Sequence, residues 1–559
     1  MDKPIADHCE AALDNDADLK ANLVVSAKAF NGDVNLMPDD GTSYLIPAPS
    51  QDPRDPLNLP LYRKLILLGV VSLFSSIGLT MVSGLGGILG IFIPEYVSQG
   101  YGVADITQYD DDLANSPDLM TYPTLFMGLG NLVGMPLALA VGRRPVYLVS
   151  CIIMVVAGVL CVTQKSYAWH LGARMTMGLA AGQSEALCPL MVQEITFLHE
   201  RSRYQMVFSA LGNILTTVLV LLTSYIAASI GASGWYGLLS GLAGLVLVLS
   251  VLFVPETKYE RPLAAYQGQT TQVGAFAGQT AVRDDGDVDG DGEYVVTRLK
   301  TTDERVLDTV RYAPRTWASD LRIVVHRPDW HEGSRTVARM LTVMFFPDML
   351  WGFLLNGLTL GVNVAIGTTY GSILGAAPYS WPAENISFAN AGQILVSLLS
   401  LVVLGWGSDA LVRFFARRNG GVHQPQYRLV PLVFPAVVGT LASVLYGQAA
   451  AHPQHIHWFA IVFALNAYYF AFLGANQSAI VYALDAYPTR SGPALVVICA
   501  YRGILSFGTS YAVQPLIDLR GYDGAFLVYG VLTGVLAALG IPIYFFSARI
   551  RAYCTKYTM

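Results

Sequence analysis

From Tyr204 to Pro255 the chain runs 52 residues without an Asp, Glu, Lys or Arg, broken only by the small residues Gly231-Ala232-Ser233-Gly234. One membrane-crossing helix needs roughly 20 apolar residues to traverse about 30 Å of hydrocarbon. The run therefore holds two spans joined by a tight turn, and a water-soluble domain has no means of hiding it. Composition points the same way: hydrophobic residues make up 53% of the chain and charged residues 13%, against about 25% charged in a soluble domain. The expected fold is an all-α membrane protein.

Apolar stretches predict twelve spans. The first six fall at 65–93, 119–141, 145–164, 167–192, 205–229 and 235–254, the second six at 341–366, 386–407, 429–450, 458–484, 493–517 and 524–547. This divides the chain into a disordered tail (1–60), a six-helix bundle (61–255), a polar linker (256–338), a second six-helix bundle (339–548) and a short tail (549–559). The tail lacks an early apolar run, so no cleavable signal peptide is expected and the first span directs insertion. Cys9, Cys151, Cys161, Cys188, Cys499 and Cys554 are scattered without C-x-x-C spacing, which suggests neither a disulfide framework nor a zinc site.

Loop charge sets an orientation. Arg143, Arg144, Arg201, Arg203, Arg413, Arg417, Arg418, Arg428 and Arg490 lie on one side. The opposite loops carry only Lys165 and Arg520, and the first of them is acidic, with Glu95, Asp105, Asp110, Asp111, Asp112 and Asp118. Because cytosolic loops are enriched in Lys and Arg, both termini and the linker are expected in the cytosol. Basic, glycine-containing segments also recur at matching places: Gly142-Arg143-Arg144 after span 2, and Gly405 to Asp409 with Arg417-Arg418 after span 8. Two equivalent halves fit the internal repeats of secondary transporters.

These segments resemble the signature of the major facilitator superfamily, roughly G-x-L-A-D-R-x-G-R-R after spans 2 and 8. A fungal branch with drug and polyamine proton antiporters is resembled more narrowly. Its features are Asp52-Pro53-Arg54-Asp55-Pro56-Leu57-Asn58, Pro136-Leu137-Ala138, Gly142 to Leu148, Phe197-Leu198-His199-Glu200-Arg201 and Pro255 to Tyr259. In the second half come Gly407-Ser408-Asp409, Ala416 to Gly421 and Tyr487-Pro488. The resemblance implies two six-helix bundles rocking about a central cavity, with drug or metabolite efflux by proton antiport as the branch's activity. It also implies a cytosolic gate built from Gly142, Arg143, Arg144, Asp409, Arg417, Arg418 and Asp485. Departures exist. Leu139 stands where the pattern has an acidic residue, span 5 has Leu211-Gly212-Asn213-Ile214 in place of an antiporter Gly-Pro element, and Pro493 replaces a Glu.

An ionisable group at a helix centre costs roughly 2.5–3.5 kcal/mol, so it should face protein or water. Arg174 and Glu185 in span 4, Asp348 in span 7 and Arg502 in span 11 meet this description. On a continuous helix, an eleven-residue spacing puts Arg174 and Glu185 on one face about 16 Å apart. The span-4 run Arg174-x-x-x-Gly178 with Ala181-Gly182 resembles the family motif whose Arg is implicated in proton transfer. Glu185 is the leading proton-coupling candidate, since a carboxyl alternating between dry and wet surroundings can load and release a proton. Arg174 is expected to assist it, and Asp348 is an alternative proton site or half of a gating pair. A buried Glu locked to an interhelical donor is the structural alternative. Amides and phenols of the second half, Asn356, Asn363, Tyr370, Asn466, Tyr468, Tyr469, Asn476 and Gln477, form with Arg502 the expected substrate cavity.

Other motifs carry less. Asp285 to Gly290 begins like a calcium loop, but Val296 stands where the bidentate Glu belongs. His452, His455 and His457 read as a solvated loop rather than a metal site, and Asn385-Ile386-Ser387 is a glycosylation sequon abutting span 8. No Walker loop, H-E-x-x-H or G-x-S-x-G is present, which argues against ATP as the energy source and against an enzyme. The expected protein is a proton-coupled secondary transporter of a small organic molecule such as a drug, polyamine or metabolite. It would be monomeric, need no cofactor, metal or nucleic acid, and sit in the plasma membrane or an endomembrane. A transporter-like sensor signalling through the linker is the alternative.

Overall fold

The computed structural model describes residues 34–35, 45–87, 118–163, 166–261, 265, 269–273, 294–298, 307–308, 312–325, 327–487 and 491–556. The acidic loop with Glu95 and Asp105–Asp112, Lys165, the stretch Asp284–Glu293, Pro488 and Arg490 lie outside them, whereas Asn385 is exposed in the short helix Ala383–Ile386. The chain is an all-α membrane protein. Among the described residues eleven helical segments are long and apolar enough to span a bilayer, and the twelfth span, 167–194, is broken into shorter pieces.

Span 1 is Leu61–Ser83, span 2 Asp118–Val141 and span 3 Arg143–Thr163. Span 4 is Tyr167–Ala181, a 3-10 turn Gly182–Ser184 and Leu187–Glu194. Spans 5 and 6 form Arg201–Phe253, reversed at Gly231, whose φ of +77° suits a residue without Cβ. Span 7 is Pro347–Gly375; span 8 runs through Ser387–Arg418; span 9 is Val433–Ala451 and span 10 Trp458–Ala486. Span 11 is Ser491–Tyr511, and span 12 follows the turn at Gly521 and continues as Gly540–Lys556.

Unlike a soluble protein, the bundle is apolar on its outer face as well as in its interior. On span 3, Val149, Ile152, Val156 and Val159 recur at helical spacing on the outer face, where lipid would cover them, while Cys151, Met154, Ala157 and Cys161 are buried inside. Within the first half, span 1 packs on span 5, span 2 on span 4, and span 3 on spans 4 and 6; in the second, span 7 packs on span 11 and span 9 on spans 10 and 12. The halves meet where span 2 lies on span 11 and span 5 on span 8. Small residues make these approaches possible. A Cβ on Gly178 or Gly182 would strike the carbonyl of Pro123 or Met127, and a Cβ on Gly128 would lie 2.9 Å from the carbonyl of Ala500 across the halves.

Several boundaries differ from the sequence reading. Span 11 ends at Tyr511 rather than 517, and the last helix runs to Lys556 through most of the expected tail 549–559. Four further differences bear on the site. Span 7 begins at Pro347 rather than 341: a separate helix, Trp330–Met344, ends at Phe345, and Pro347, which lacks an N–H, restarts the chain at a first helical turn. Asp348 is thus in the first turn of span 7, not two turns inside it. The 330–344 helix also shows that the end of the polar linker is an amphipathic helix. Asp329 caps it by accepting from His331 and Glu332 N–H, and Gly333, Thr336, Met340 and Val343 bury one face against spans 2 and 11. Span 8 does not end at 407; a π turn, Leu401–Trp406, carries it on to Arg418, so Gly405 to Asp409 is helix rather than loop.

The fourth difference is the tail. Residues 45–60 are ordered, with Leu45, Ile46, Ala48, Leu57 and Leu59 buried. Asp55 accepts from Ser50 N–H (2.9 Å) and Leu57 N–H (2.9 Å), and pairs with Arg261 at 2.6 Å. The Asp-Pro motif is therefore a knot that fastens the segment before span 1 to the segment after span 6. Two short antiparallel ladders complete the described structure, Val34–Asn35 with Val422–His423 and Gln269–Val273 with Tyr294–Arg298.

Candidate functional site

Span 4 breaks where its sequence cannot sustain a helix. Pro189 has no N–H to offer the carbonyl four residues back, which is that of Glu185, and its ring crowds that carbonyl. The thiol of Cys499 on span 11 donates to the Glu185 carbonyl instead, at 3.0 Å. The break turns the Glu185 carboxylate toward the other half, where it pairs with the Arg502 guanidinium through Nη2. Arg502 Nη1 donates to Asn476 Oδ1 at 2.6 Å, and the same oxygen accepts from Asn356 Nδ2 at 3.0 Å. Spans 4, 11, 10 and 7 thus converge on one polar chain, Glu185–Arg502–Asn476–Asn356, linking the two halves.

Arg174 is elsewhere. The break removes the continuous helix on which it would share a face with Glu185. Its guanidinium donates to the carbonyls of Leu119 (2.7 Å), Met81 (3.1 Å) and Val82 (2.7 Å) and to the Tyr236 hydroxyl (2.8 Å). Tyr236 also meets His170 Nε2 at 2.8 Å. This cage ties spans 1, 2, 4 and 6 together at the end of span 1.

Asp348 is fully buried and held by phenols: Tyr487 OH donates at 2.9 Å and 3.1 Å to its two oxygens, and Tyr482 OH donates at 2.9 Å. The expected cavity residues divide. Asn356, Asn476 and Arg502 join the central chain. Asn466 donates to the carbonyls of Ala389 and Val462, Tyr468 meets Thr533 Oγ1 at 3.0 Å, and Tyr469 packs with Met206, Leu404 and Phe470. Tyr370 accepts from Asn390, Gln477 donates to the Ser202 carbonyl at 3.4 Å, and the buried Asn363 Oδ1 has no partner among the described residues.

On the face that carries the loop arginines, the basic face, the polar residues form two networks. The first lies within the first half. Gly142 (φ +131°) lets the chain turn between spans 2 and 3, and Glu256 accepts from the N–H groups of Arg143 (3.0 Å) and Arg144 (3.3 Å). Arg143 pairs with Glu194 at 2.7 Å, and Arg144 reaches the carbonyls of Val251 and Arg322. The second network crosses between the halves. Asp485 of span 10 accepts from Arg201 (2.5 Å) and Arg428 (2.7 Å). Arg428 also pairs with Asp409 (2.8 Å) and donates to Ser202 Oγ (2.6 Å) and the Leu198 carbonyl (3.2 Å). Arg203 N–H donates to Asp409 at 3.0 Å.

Of the gate residues grouped by sequence, Asp409 does not meet Arg417 or Arg418. Arg417 and Arg418 are exposed at the C-terminal end of span 8, where cations suit the helix dipole, and Arg428 takes the carboxylate. Sequence reasoning counted Arg201 and Arg428 as loop charge and missed them as latch residues. The usable signal was that both precede apolar spans on the same side as Asp485.

Comparison with known proteins fits this architecture. The family model for the Major Facilitator Superfamily matches residues 68–498. The chain belongs to the major facilitator superfamily. An uncharacterized MFS-type transporter of Schizosaccharomyces pombe is 24% identical, covering 93% of this chain and 90% of that protein. Protein HOL1 of Saccharomyces cerevisiae is 20% identical over 92% and 91% of the two chains, and MFS-type transporter atr4 of Stereocaulon alpinum 22% over 98% and 90%. The family resemblance is thus to its fungal members. Among solved structures, the proton:xylose symporter XylE is similar with a TM-score of 0.54 at 15% identity, covering 86% of this chain and 95% of that one. The human organic anion transporter MFSD10 is similar at 0.52 and 16%, covering 86% and 100%. At those identities the likeness shows the fold alone.

Proposed function

We propose that this membrane transport protein is a proton-coupled secondary transporter that moves a small organic molecule by alternating access, with the proton carried on Glu185. The observation that supports this reading is the Glu185–Arg502 pair, an acid and a base on opposite halves, inside the membrane, beside the break in span 4. Protonation of Glu185 removes the charge that holds Arg502, so proton loading and the contact between the halves are the same event. The Arg201–Asp485 and Arg428–Asp409 network latches the basic face while the pair is made. Arg174, enclosed by carbonyls, serves as a brace and not as a relay. By its loop charges the protein sits with the basic face and both termini in the cytosol; the proposed setting is the plasma membrane, with the chain acting as a monomer.

The test is Glu185→Gln in proteoliposomes. The amide keeps size and hydrogen bonding but fixes the neutral state. Accumulation driven by an imposed pH gradient should be abolished while substrate exchange survives. Accumulation that persists in this variant sends the proton elsewhere.

A further inference from the structure

We infer that Arg502 is the group that binds the substrate and that the substrate is an organic carboxylate, loaded together with one proton; this deepens the proposed coupling role of Glu185 and rests on it.

The argument begins with the edge of the guanidinium. Nε–H and one Nη2–H point the same way and form the fork that a carboxylate fills with both oxygens. Glu185 occupies only Nη2 of that fork, through its Oε1. Nε is buried and has no hydrogen-bond partner among the described residues, although the side chain is only 4% exposed. Nη1, on the other edge, is engaged by Asn476 Oδ1. The resident carboxylate therefore makes a single-point contact where a two-point contact is possible. A carboxylate free to choose its approach satisfies Nε as well.

Charge counting gives the substrate's sign. With Glu185 ionised, the pair is neutral. When Glu185 takes a proton from solvent, Arg502 remains a buried cation whose other partner is the neutral amide of Asn476. An uncompensated buried charge is strongly unfavourable, so the protonated centre calls for an anion. A cationic substrate has the opposite problem, since it must take Glu185 from Arg502 and leave two positive charges facing one carboxylate. Arg174 does not alter this count, because it lies in a separate cage where the carbonyls of Leu119, Met81 and Val82 and the Tyr236 hydroxyl accept four hydrogen bonds from it. The loaded centre, with neutral Glu185, cationic Arg502 and anionic substrate, has the same net charge as the empty one. Both forms of the carrier then cross between faces without moving charge, so one proton and one carboxylate travel together.

The experiment uses the full-length chain in detergent, with acetate, lactate and benzoate as probes, their amides as neutral controls and putrescine as the cationic control. Thermal stabilisation reads binding, and a pH electrode in weakly buffered solution reads proton exchange. At least one acid should stabilise the protein where its amide does not, with uptake of up to one proton per chain and weaker binding as pH rises. Glu185→Gln should bind the same acid without proton uptake and independently of pH. Arg502→Lys, which keeps the charge but has no fork, should weaken binding by about tenfold or more; the wild-type proton count stands even if this variant misfolds. Stabilisation by none of the acids, or by putrescine with proton release, overturns the carboxylate assignment. In the putrescine case a flattened pH dependence in Glu185→Gln leaves the proton site standing. Acid binding with no proton uptake in the wild type overturns the coupling role together with this inference.

Discussion

Substituting Asp485→Asn tests whether the basic face is held shut by charge. Asp485 is fully buried and joins Arg201 at 2.5 Å across the halves and Arg428 at 2.7 Å within its own half. In the variant Arg428 keeps Asp409 at 2.8 Å, but the Arg201 side chain, 5% exposed, loses its carboxylate. Breaking a buried ion pair by removing one partner costs about 3–5 kcal/mol. Once the halves part, water solvates Arg201, so the cost falls almost entirely on the latched state. The lower bound of about 3 kcal/mol, at 1.4 kcal/mol per decade, moves the equilibrium on the order of 100-fold toward opening. Cys499 reports the change, because its side chain is buried at the contact between spans 4 and 11. Opening at the basic face exposes it, so its maleimide modification rate, followed by mass spectrometry on the purified protein, should rise by that factor. The double variant Arg201→Gln/Asp485→Asn should fall back near Arg201→Gln alone, since the guanidinium that lost its carboxylate is gone. A Cys499 rate within about threefold of wild type in folded Asp485→Asn would refute the latch.

The remaining predictions concern pH and the N-terminal knot. Burial holds the His423 imidazole below its usual range; it sits 3.5 Å from Asp485, beside Arg428 and Arg201. The folded, latched form therefore keeps His423 neutral while an unfolded chain takes the proton, so this contribution to stability is complete above about pH 6.5 and declines as pH falls below it. Melting temperatures at about pH 8 and pH 5.5 should differ less in His423→Gln than in wild type. Asp55→Ala leaves Arg261, itself 5% exposed, without its carboxylate and removes the acceptor for Ser50 and Leu57 N–H, a loss of about 3 kcal/mol or more. A melting curve unchanged from wild type would mean that the 45–60 segment contributes nothing to the fold.

Most of the spans were legible because the signals are local. A run from Tyr204 to Pro255 without charge permits no reading but two crossings, and Gly231 reverses the chain within the small-residue break that the sequence displays. Boundaries were legible only where polarity changed with structure. Between Met340 and Trp351 the residues remain mostly apolar although one helix ends and another begins, because the break is set by the missing N–H of Pro347 and not by hydropathy. At span 8 the opposite happened. Gly405 to Asp409 looks like a loop by composition, yet the helix continues, with Gly405 allowing approach to Met206 of span 5.

The central site separates what a sequence can reveal from what it cannot. That Glu185, Arg502 and Asp348 require compensation follows from each residue's own neighbourhood, since burying charge or a carboxyl in an apolar run is costly wherever it occurs. Which group compensates them depends on how helices meet, and three different chemistries supply the answer: a guanidinium for Glu185, phenols for Asp348, and carbonyls for Arg174. The helical-face argument that joined Arg174 to Glu185 assumed an unbroken helix through Gly182 and Pro189. The break itself creates the site, because it frees the Glu185 carbonyl for Cys499 and turns the carboxylate toward Arg502. Pro189 was the residue to weigh most: a proline four places after a buried acid leaves one backbone acceptor without its helical donor at the same position as the charge. Two unsatisfied groups at one residue can be met together only by an element from outside the helix, and here that element belongs to the other half of the transporter.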